Sequence, residues 1–292
     1  MASPVVAEMG GGRVVSVVGA GAMGGQIAHQ AALHGYDVHL VSRKPERLQA
    51  AREESARLLR RRVERGKLDH DECENALARV RTSTDLAMIG GAGVVIESVA
   101  EDRDVKREVF QRISEHADEN AIIGTNSSTL ASSLMEDCVK NPSRFLNVHF
   151  FNPPLVMALV EVVRGPHTSD DAVQRAMEFA RSIGKTPVLV AKEAYGFVAN
   201  RILFIAMQEA MRLVEGGYVS VEDCDLAVHN ALGWPMGPFA LADLVGLDVV
   251  EAILAEGHQQ TGEERWAPLP ILRDRVAEGH LGRKTGRGFT SS

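Results

Sequence analysis

The sequence predicts an α/β chain in which a doubly wound sheet domain precedes an all-α domain. Three observations predict it. Through roughly the first 190 residues, short β-branched runs alternate with helically spaced segments, the pattern of βαβ units and a parallel sheet. After Lys192 the strand pattern stops and only helical stretches follow. Where the first strand meets the first helix stands a glycine-rich run, the punctuation that joins such elements in a tight turn.

The elements follow in order. Residues 13–18 are apolar and β-branched and predict a strand, 24–33 have helical spacing, and 36–41 predict a second strand. Residues 45–65 read as a long charged helix paired with another over 69–80. A strand over 94–99, a helix over 105–116 and a strand over 121–125 continue the alternation. Residues 145–151 and 157–163 predict two more strands, separated by Asn152-Pro153-Pro154, which forces a turn. That pair is expected to fold back as an antiparallel edge. A helix over 171–183 and a strand over 187–190 end the first domain, expected at 1–190. Helices over 197–215, 221–232, 238–256 and 270–277 make the second, expected at 191–292, which would serve substrate binding and dimerisation.

Two domains suit 292 residues, and 45% hydrophobic with 24% charged residues suits a globular protein with a sizeable core. The net charge of -7 argues against nucleic acid, since no excess of Lys and Arg exists to neutralise phosphates. Cys73, Cys138 and Cys224 form no close pair and read as inert thiols. The ten histidines do not cluster with acids at ligand spacing, so no metal is expected. Residues 1–12 read as a loose Gly-rich tail without the charged and apolar regions of a signal peptide. No run reaches the ~18 apolar residues of a membrane span. A soluble, cytoplasmic protein is expected, with no membrane partner.

Gly19-Ala20-Gly21-Ala22-Met23-Gly24 is a G-x-G-x-x-G run that follows a strand and opens a helix, the context a dinucleotide site requires. Gly19 permits the tight turn, Gly21 lets backbone approach a pyrophosphate, and Gly24 permits close helix–strand packing. Ala22 and Met23 fill the helix N-terminus, whose free N–H groups face the phosphates. A Rossmann-type domain binding NAD(P) is expected. An NAD site usually carries an acid ~20 residues on, for the ribose 2′-OH. This chain has Ser42-Arg43-Lys44 there. Arg43 and Lys44 suit a 2′-phosphate, with Ser42 donating a hydrogen bond, which favours NADP(H) over NAD(H). The alternative is that both cations are solvated surface charges.

His149 ends an apolar strand and Glu161 lies inside another. A lone His there is more often a core residue than a base. A carboxylate in an apolar strand is costly unless paired. The proline turn between the strands could bring the two together, and a carboxylate behind an imidazole makes a workable general base.

At these residues the chain resembles the 3-hydroxyacyl-CoA dehydrogenase family, over about residues 13–289. The resemblance rests on motifs in order: 19–24, Val95-Ile96-Glu97-Ser98-Val99-Ala100-Glu101, Thr125-Asn126-Ser127-Ser128-Thr129-Leu130 and His149-Phe150-Phe151-Asn152-Pro153. Gly196-Phe197-Val198-Ala199-Asn200-Arg201, Gly233-Trp234-Pro235-Met236-Gly237-Pro238-Phe239 and Gly282-Arg283-Lys284-Thr285-Gly286-Arg287-Gly288-Phe289 complete it. It implies that His149 is the base, Glu161 its orienting carboxylate, and Ser128 and Asn200 the polar groups that hold the substrate oxygen. Asn152 would stand near the His, and Glu101 and Lys106 would line the nicotinamide end of the cofactor site. From residue type alone, Ser128 and Asn200 read as capping or turn residues. It also implies that Ser55 and Arg62 contact CoA; Arg57, Arg60, Arg61 and Arg62 on one helix suit CoA phosphates, or form a solvated charged face.

The chain departs from the family at Ser42, where an Asp is usual, at Ala158, where many members have Lys, and at Tyr195, where Pro is frequent. The implied activity is interconversion of short-chain (S)-3-hydroxyacyl-CoA and 3-oxoacyl-CoA by hydride transfer, in a homodimer. Leu155, Met157 and Met236 are candidate acyl neighbours, with core packing the alternative. Rival readings are the same chemistry on an acyl-carrier-protein thioester, oxidation of a free hydroxy acid, and a non-catalytic dinucleotide-binding protein.

Overall fold

The computed structural model describes residues 13–290; the terminal residues 1–12, with the expected tail, and 291–292 lie outside the described residues. The chain divides into two compact units, 1–193 and 194–292.

In the first unit, eight strands form one sheet in the order β3-β2-β1-β4-β5-β6-β7-β8. Strands β1 (Val14–Val18), β2 (Asp37–Val41), β3 (Val80–Ser83), β4 (Val94–Glu97), β5 (Ile122–Thr125) and β6 (Phe145–Phe150) run parallel. β7 (Leu159–Val163) is antiparallel to β6, and β8 (Thr186–Val190) is parallel to β7. Alternation along each strand builds a core on each face. Val15 and Val17 of β1 and Val94 and Ile96 of β4 enter one cluster; Val18 and Val95 enter the other. Helix α1 (Ala22–Leu33) buries nine residues in the first cluster's face, beside α2 (Pro45–Glu64), α3 (His70–Arg79) and α5 (Asp170–Ser182). Helix α4 (Arg103–His116) contributes Val109, Phe110 and Ile113 to the second.

The second unit is helical: α6 (Ala199–Glu215), α7 (Val221–Leu232), α8 (Pro238–Val245), α9 (Leu247–Thr261) and α10 (Pro270–Ala277). Its core gathers Phe204, Met207, Phe239, Val250 and Leu254 about a fully buried Trp266. Among the described residues no helix is long and apolar enough to cross a membrane.

Three expectations are corrected. β3 was not anticipated: its four residues, Val-Arg-Thr-Ser, carry too little apolar pattern, and the expected helix over 69–80 overran its start. β6 and β7 do pair antiparallel, but β7 is interior, because β8 adds beyond it and β3 and β8 are the edges. The single helix expected over 238–256 is broken at Gly246, whose φ of +103° no helix residue adopts.

Candidate active site

The chemistry-bearing residues of the first unit gather at one edge of the sheet, the carboxyl ends of the parallel strands, where α/β proteins bind ligands. The glycine turn follows β1, Ser42 follows β2, Glu101 follows β4, Ser128 follows β5 and His149 is next to last in β6.

β1 delivers the chain into the turn at Gly19, with φ +115°. A Cβ there would lie 2.3 Å from the Ser98 carbonyl oxygen, and a Cβ at Gly24 would lie 1.9 Å from the Gly19 oxygen. These two glycines are required by close approach within the chain. Gly21 is different: a Cβ there would meet nothing within 4 Å. Gly21 is the N-cap of α1 and gives it no side-chain cap, so the exposed helix start at Gly21 and Ala22, with Met23 partly buried, presents uncapped N–H groups to an open space. That fits a dinucleotide pyrophosphate.

At the end of β2, the Ser42 N–H donates to Ser83 O at 3.2 Å, tying the turn to β3. Arg43 and Lys44 are exposed. Arg43 makes one loose ion pair, 3.8 Å from Glu108, and Lys44 makes none among the described residues.

β4 ends on Glu97, a fully buried carboxylate. It accepts from Lys106 Nζ at 2.8 and 3.0 Å, from Thr125 Oγ1 at 2.7 Å and from the Val99 N–H at 2.6 Å. Lys106, 1% exposed, is therefore a buried strut, and its Nζ also lies 3.3 Å from Glu101 Oε2. Glu101 Oε1 accepts from the Ser127 hydroxyl, from the Ser128 and Thr129 N–H groups at 3.1 and 3.3 Å, and from Thr129 Oγ1 at 3.2 Å. Burial alone would raise the Glu101 carboxyl, but the Lys106 charge and these hydrogen bonds outweigh it and hold it below the usual carboxylate range. The loop after β5 is thus fixed by a chain of charge running from Glu97 through Lys106 to Glu101. In it the hydroxyls of Ser127 and Thr129 are committed to Glu101, while that of Ser128 makes no hydrogen bond among the described residues.

Asn126 joins this loop to the next strand. Its Oδ1 accepts from the Phe150 N–H at 2.8 Å and its Nδ2 donates to Ser98 Oγ at 3.3 Å. A line of contacts therefore runs from the glycine turn through Ser98 and Asn126 to the end of β6.

His149 and Glu161 are direct partners across the antiparallel β6–β7 pair. His149 Nδ1 lies 3.0 Å from Glu161 Oε2, with 4% and 1% of the two residues exposed. An ionised carboxylate only accepts, so against Glu161 it is Nδ1 that carries a proton. Asn152 is exposed just beyond β6.

The remaining expected residues lie on α2 of the first unit and α6 of the second. Ser55 is 1% exposed on α2, its hydroxyl turned toward Gly25 of α1, so the structure does not bring it to the surface beside Arg62, which is half-buried. Arg57 pairs with Glu54 at 2.5 Å and Arg60 with Glu74 of α3 at 3.5 Å; Arg61 and Arg62 form no ion pair among the described residues. Asn200 stands in the first turn of α6 in the second unit. The Arg201 guanidinium lies 3.1 Å from Glu263 and 5.6 Å over the Trp266 ring, fixing the helix start that carries Asn200.

Glu97 lies within one of the motifs above, yet its role as the buried anchor of Lys106 is seen only in the structure. The signal was present, an acid closing the apolar run Val94-Val95-Ile96, the same argument that singled out Glu161. Asn126 carried no such signal, because its partners are 24 and 28 residues away in sequence.

Residues 14–194 match the 3-hydroxyacyl-CoA dehydrogenase NAD binding domain and residues 196–292 match the 3-hydroxyacyl-CoA dehydrogenase C-terminal domain. The chain is 38% identical over 276 residues to 3-hydroxybutyryl-CoA dehydrogenase of Mycobacterium tuberculosis, covering 94% of this chain and 96% of that one. It is 38% identical over 282 residues to the human mitochondrial hydroxyacyl-coenzyme A dehydrogenase, covering 94% and 90%. The solved structure of (S)-3-hydroxybutyryl-CoA dehydrogenase from Ralstonia eutropha superposes with a TM-score of 0.92 at 35% identity, over 96% of this chain and 98% of that one. With both domains matched and relatives aligned nearly end to end, the chain belongs to the 3-hydroxyacyl-CoA dehydrogenase family.

Proposed function

We propose that the protein interconverts short-chain (S)-3-hydroxyacyl-CoA and 3-oxoacyl-CoA, with 3-hydroxybutyryl-CoA and acetoacetyl-CoA as a representative pair. The observation that carries this reading is the buried His149–Glu161 pair at 3.0 Å, at the same sheet edge as the glycine turn. A bound nicotinamide ring supplies the hydride chemistry. In oxidation, His149 takes the hydroxyl proton at Nε2 while hydride leaves C3, and the C3–O bond becomes a carbonyl; in reduction both transfers reverse. Glu161 keeps the proton of Nδ1 in place and stabilises the imidazolium that forms. Ser128, whose hydroxyl makes no hydrogen bond among the described residues, donates to the substrate oxygen, a role that the family resemblance implies for Asn200 also. Arg61 and Arg62, which form no ion pair among the described residues, meet CoA phosphates.

For the cofactor, the absence of an acid after β2 and the exposed Arg43 and Lys44 support NADP(H) over NAD(H). The test is the nicotinamide absorbance on mixing the protein with acetoacetyl-CoA and either NADPH or NADH. Consumption of NADPH at the higher kcat/KM is expected. Preference for NADH would overturn the cofactor choice alone, and tight cofactor binding without turnover of either would leave only a dinucleotide-binding protein.

A further inference from the structure

Lys185, immediately before β8, is 8% exposed and has no carboxylate partner among the described residues. Its Nζ donates to two backbone carbonyls, Pro154 O at 2.5 Å and Met157 O at 2.9 Å. Both belong to the turn that joins β6 to β7, and so joins His149 to Glu161. An ammonium removed from water without a counter-ion is a costly group, and a methionine would fill similar space without that cost. What the charge supplies is a grip on this turn from the inside.

The rest of the turn agrees. The Val156 and Met157 N–H groups both donate to Pro153 O at 2.9 Å, and the Leu155 N–H donates to Gln26 Oε1 on α1 at 3.3 Å. Leu155 is buried in the sheet core, whereas Val156 and Met157 are 73% and 40% exposed. The turn is thus pinned beneath by Gln26 and Lys185 while presenting two apolar side chains outward, a few residues past the base.

We infer that Lys185 is a positioning residue, fixing through Pro154 O and Met157 O the turn that carries Val156 and Met157, and thereby the seat of the substrate's acyl chain. This rests on the thioester reading above and deepens it: the acyl group is recognised by a braced turn. The His149–Glu161 pair does not depend on the brace, because four consecutive residue pairs from Asn147–Val163 to Phe150–Val160 set the β6–β7 register.

The experiment compares wild type with Lys185→Met and Lys185→Gln, measuring kcat, KM and, without cofactor, the calorimetric Kd for acetoacetyl-CoA. Lys185→Met is expected to raise Kd and KM by about tenfold, the order of disordering a contact turn, with kcat within about twofold. Lys185→Gln keeps N–H donors for the two carbonyls and is expected to recover part of the affinity; it also serves if the methionine variant fails to fold. Unchanged Kd and KM in a folded Lys185→Met, or a kcat that falls as far as affinity does, would overturn the inference. Wild-type protein that neither binds nor turns over acetoacetyl-CoA would overturn the thioester reading itself.

Discussion

Glu161 is a carboxylate with 1% exposure whose partner across the sheet is an imidazole, and its worth can be separated from its burial. Glu161→Gln keeps size and polarity but removes the charge that stabilises the imidazolium. It is expected to lower kcat by about 10–100-fold, part of the usual share of a general base, with cofactor Kd unchanged. Steady-state kinetics beside a cofactor titration check this, and an unchanged kcat would mean that the carboxylate only fills the sheet. Lys185 offers a second test by linkage. Burial first, and the Arg62 charge second, lower its pKa from 10.5 to about 8. Between about pH 8 and 10.5 the unfolded chain therefore binds more protons than the native one, so native stability rises with pH through that window. The gain is at most about 3 kcal/mol. Denaturant melts of wild type against Lys185→Met should show this rise only in wild type. His149 and Glu161 were legible in sequence because each is an expense in an apolar strand. Lys185 was not, since nothing near it in the chain reveals that its ammonium reaches two carbonyls 28 and 31 residues back.

The β1–α1 turn and the β2–α2 turn carry different obligations. Gly19 at φ +115° faces the Ser98 carbonyl, so Gly19→Ala combines strain with a clash. A loss of at least about 1–3 kcal/mol is expected, seen as a melting point lower by several degrees, together with weakened cofactor binding. A melting point within a degree of wild type would show that the turn can relax. After β2, Ser42→Asp restores the acid usual for NAD and opposes a 2′-phosphate. It is expected to shift kcat/KM toward NADH by about tenfold or more, read by the ratio of rates with the two reduced cofactors. No shift would mean that Arg43 and Lys44 are solvated charges only. These elements were read from strand–glycine–helix order, which is local. The edge strand β3 and the break at Gly246 were missed because each depends on what lies alongside: a four-residue strand is held by β2, and Gly246 leaves the helix at a φ that its neighbours' helical spacing does not announce.

Across the two units, sequence order alone conveyed the sheet-then-helix plan, since the β-branched runs that alternate with helical segments stop near residue 190 and only helical spacing continues. It could not convey how strands 1, 4, 5 and 6 line up their ends, which is what assembles Ser98, Asn126 and His149 into one edge. In the helical unit, α7 buries only Cys224 and leaves Leu226 and Leu232 57% and 66% exposed, with Tyr218 beside it at 81%. Apolar side chains left exposed in this way are expected to be covered by a second copy of the chain. Light scattering is expected to give a mass twice the 31.6 kDa of one chain, and Leu226→Arg to lower it; a monomeric wild type would contradict this. Proton transfer by an imidazole set on Glu161 stands or falls with His149→Gln. With acetoacetyl-CoA and reduced cofactor, kcat should fall by about 10²–10⁴ while cofactor Kd stays within about twofold. A variant that keeps near wild-type turnover, or one that loses cofactor binding in step with turnover, would contradict it.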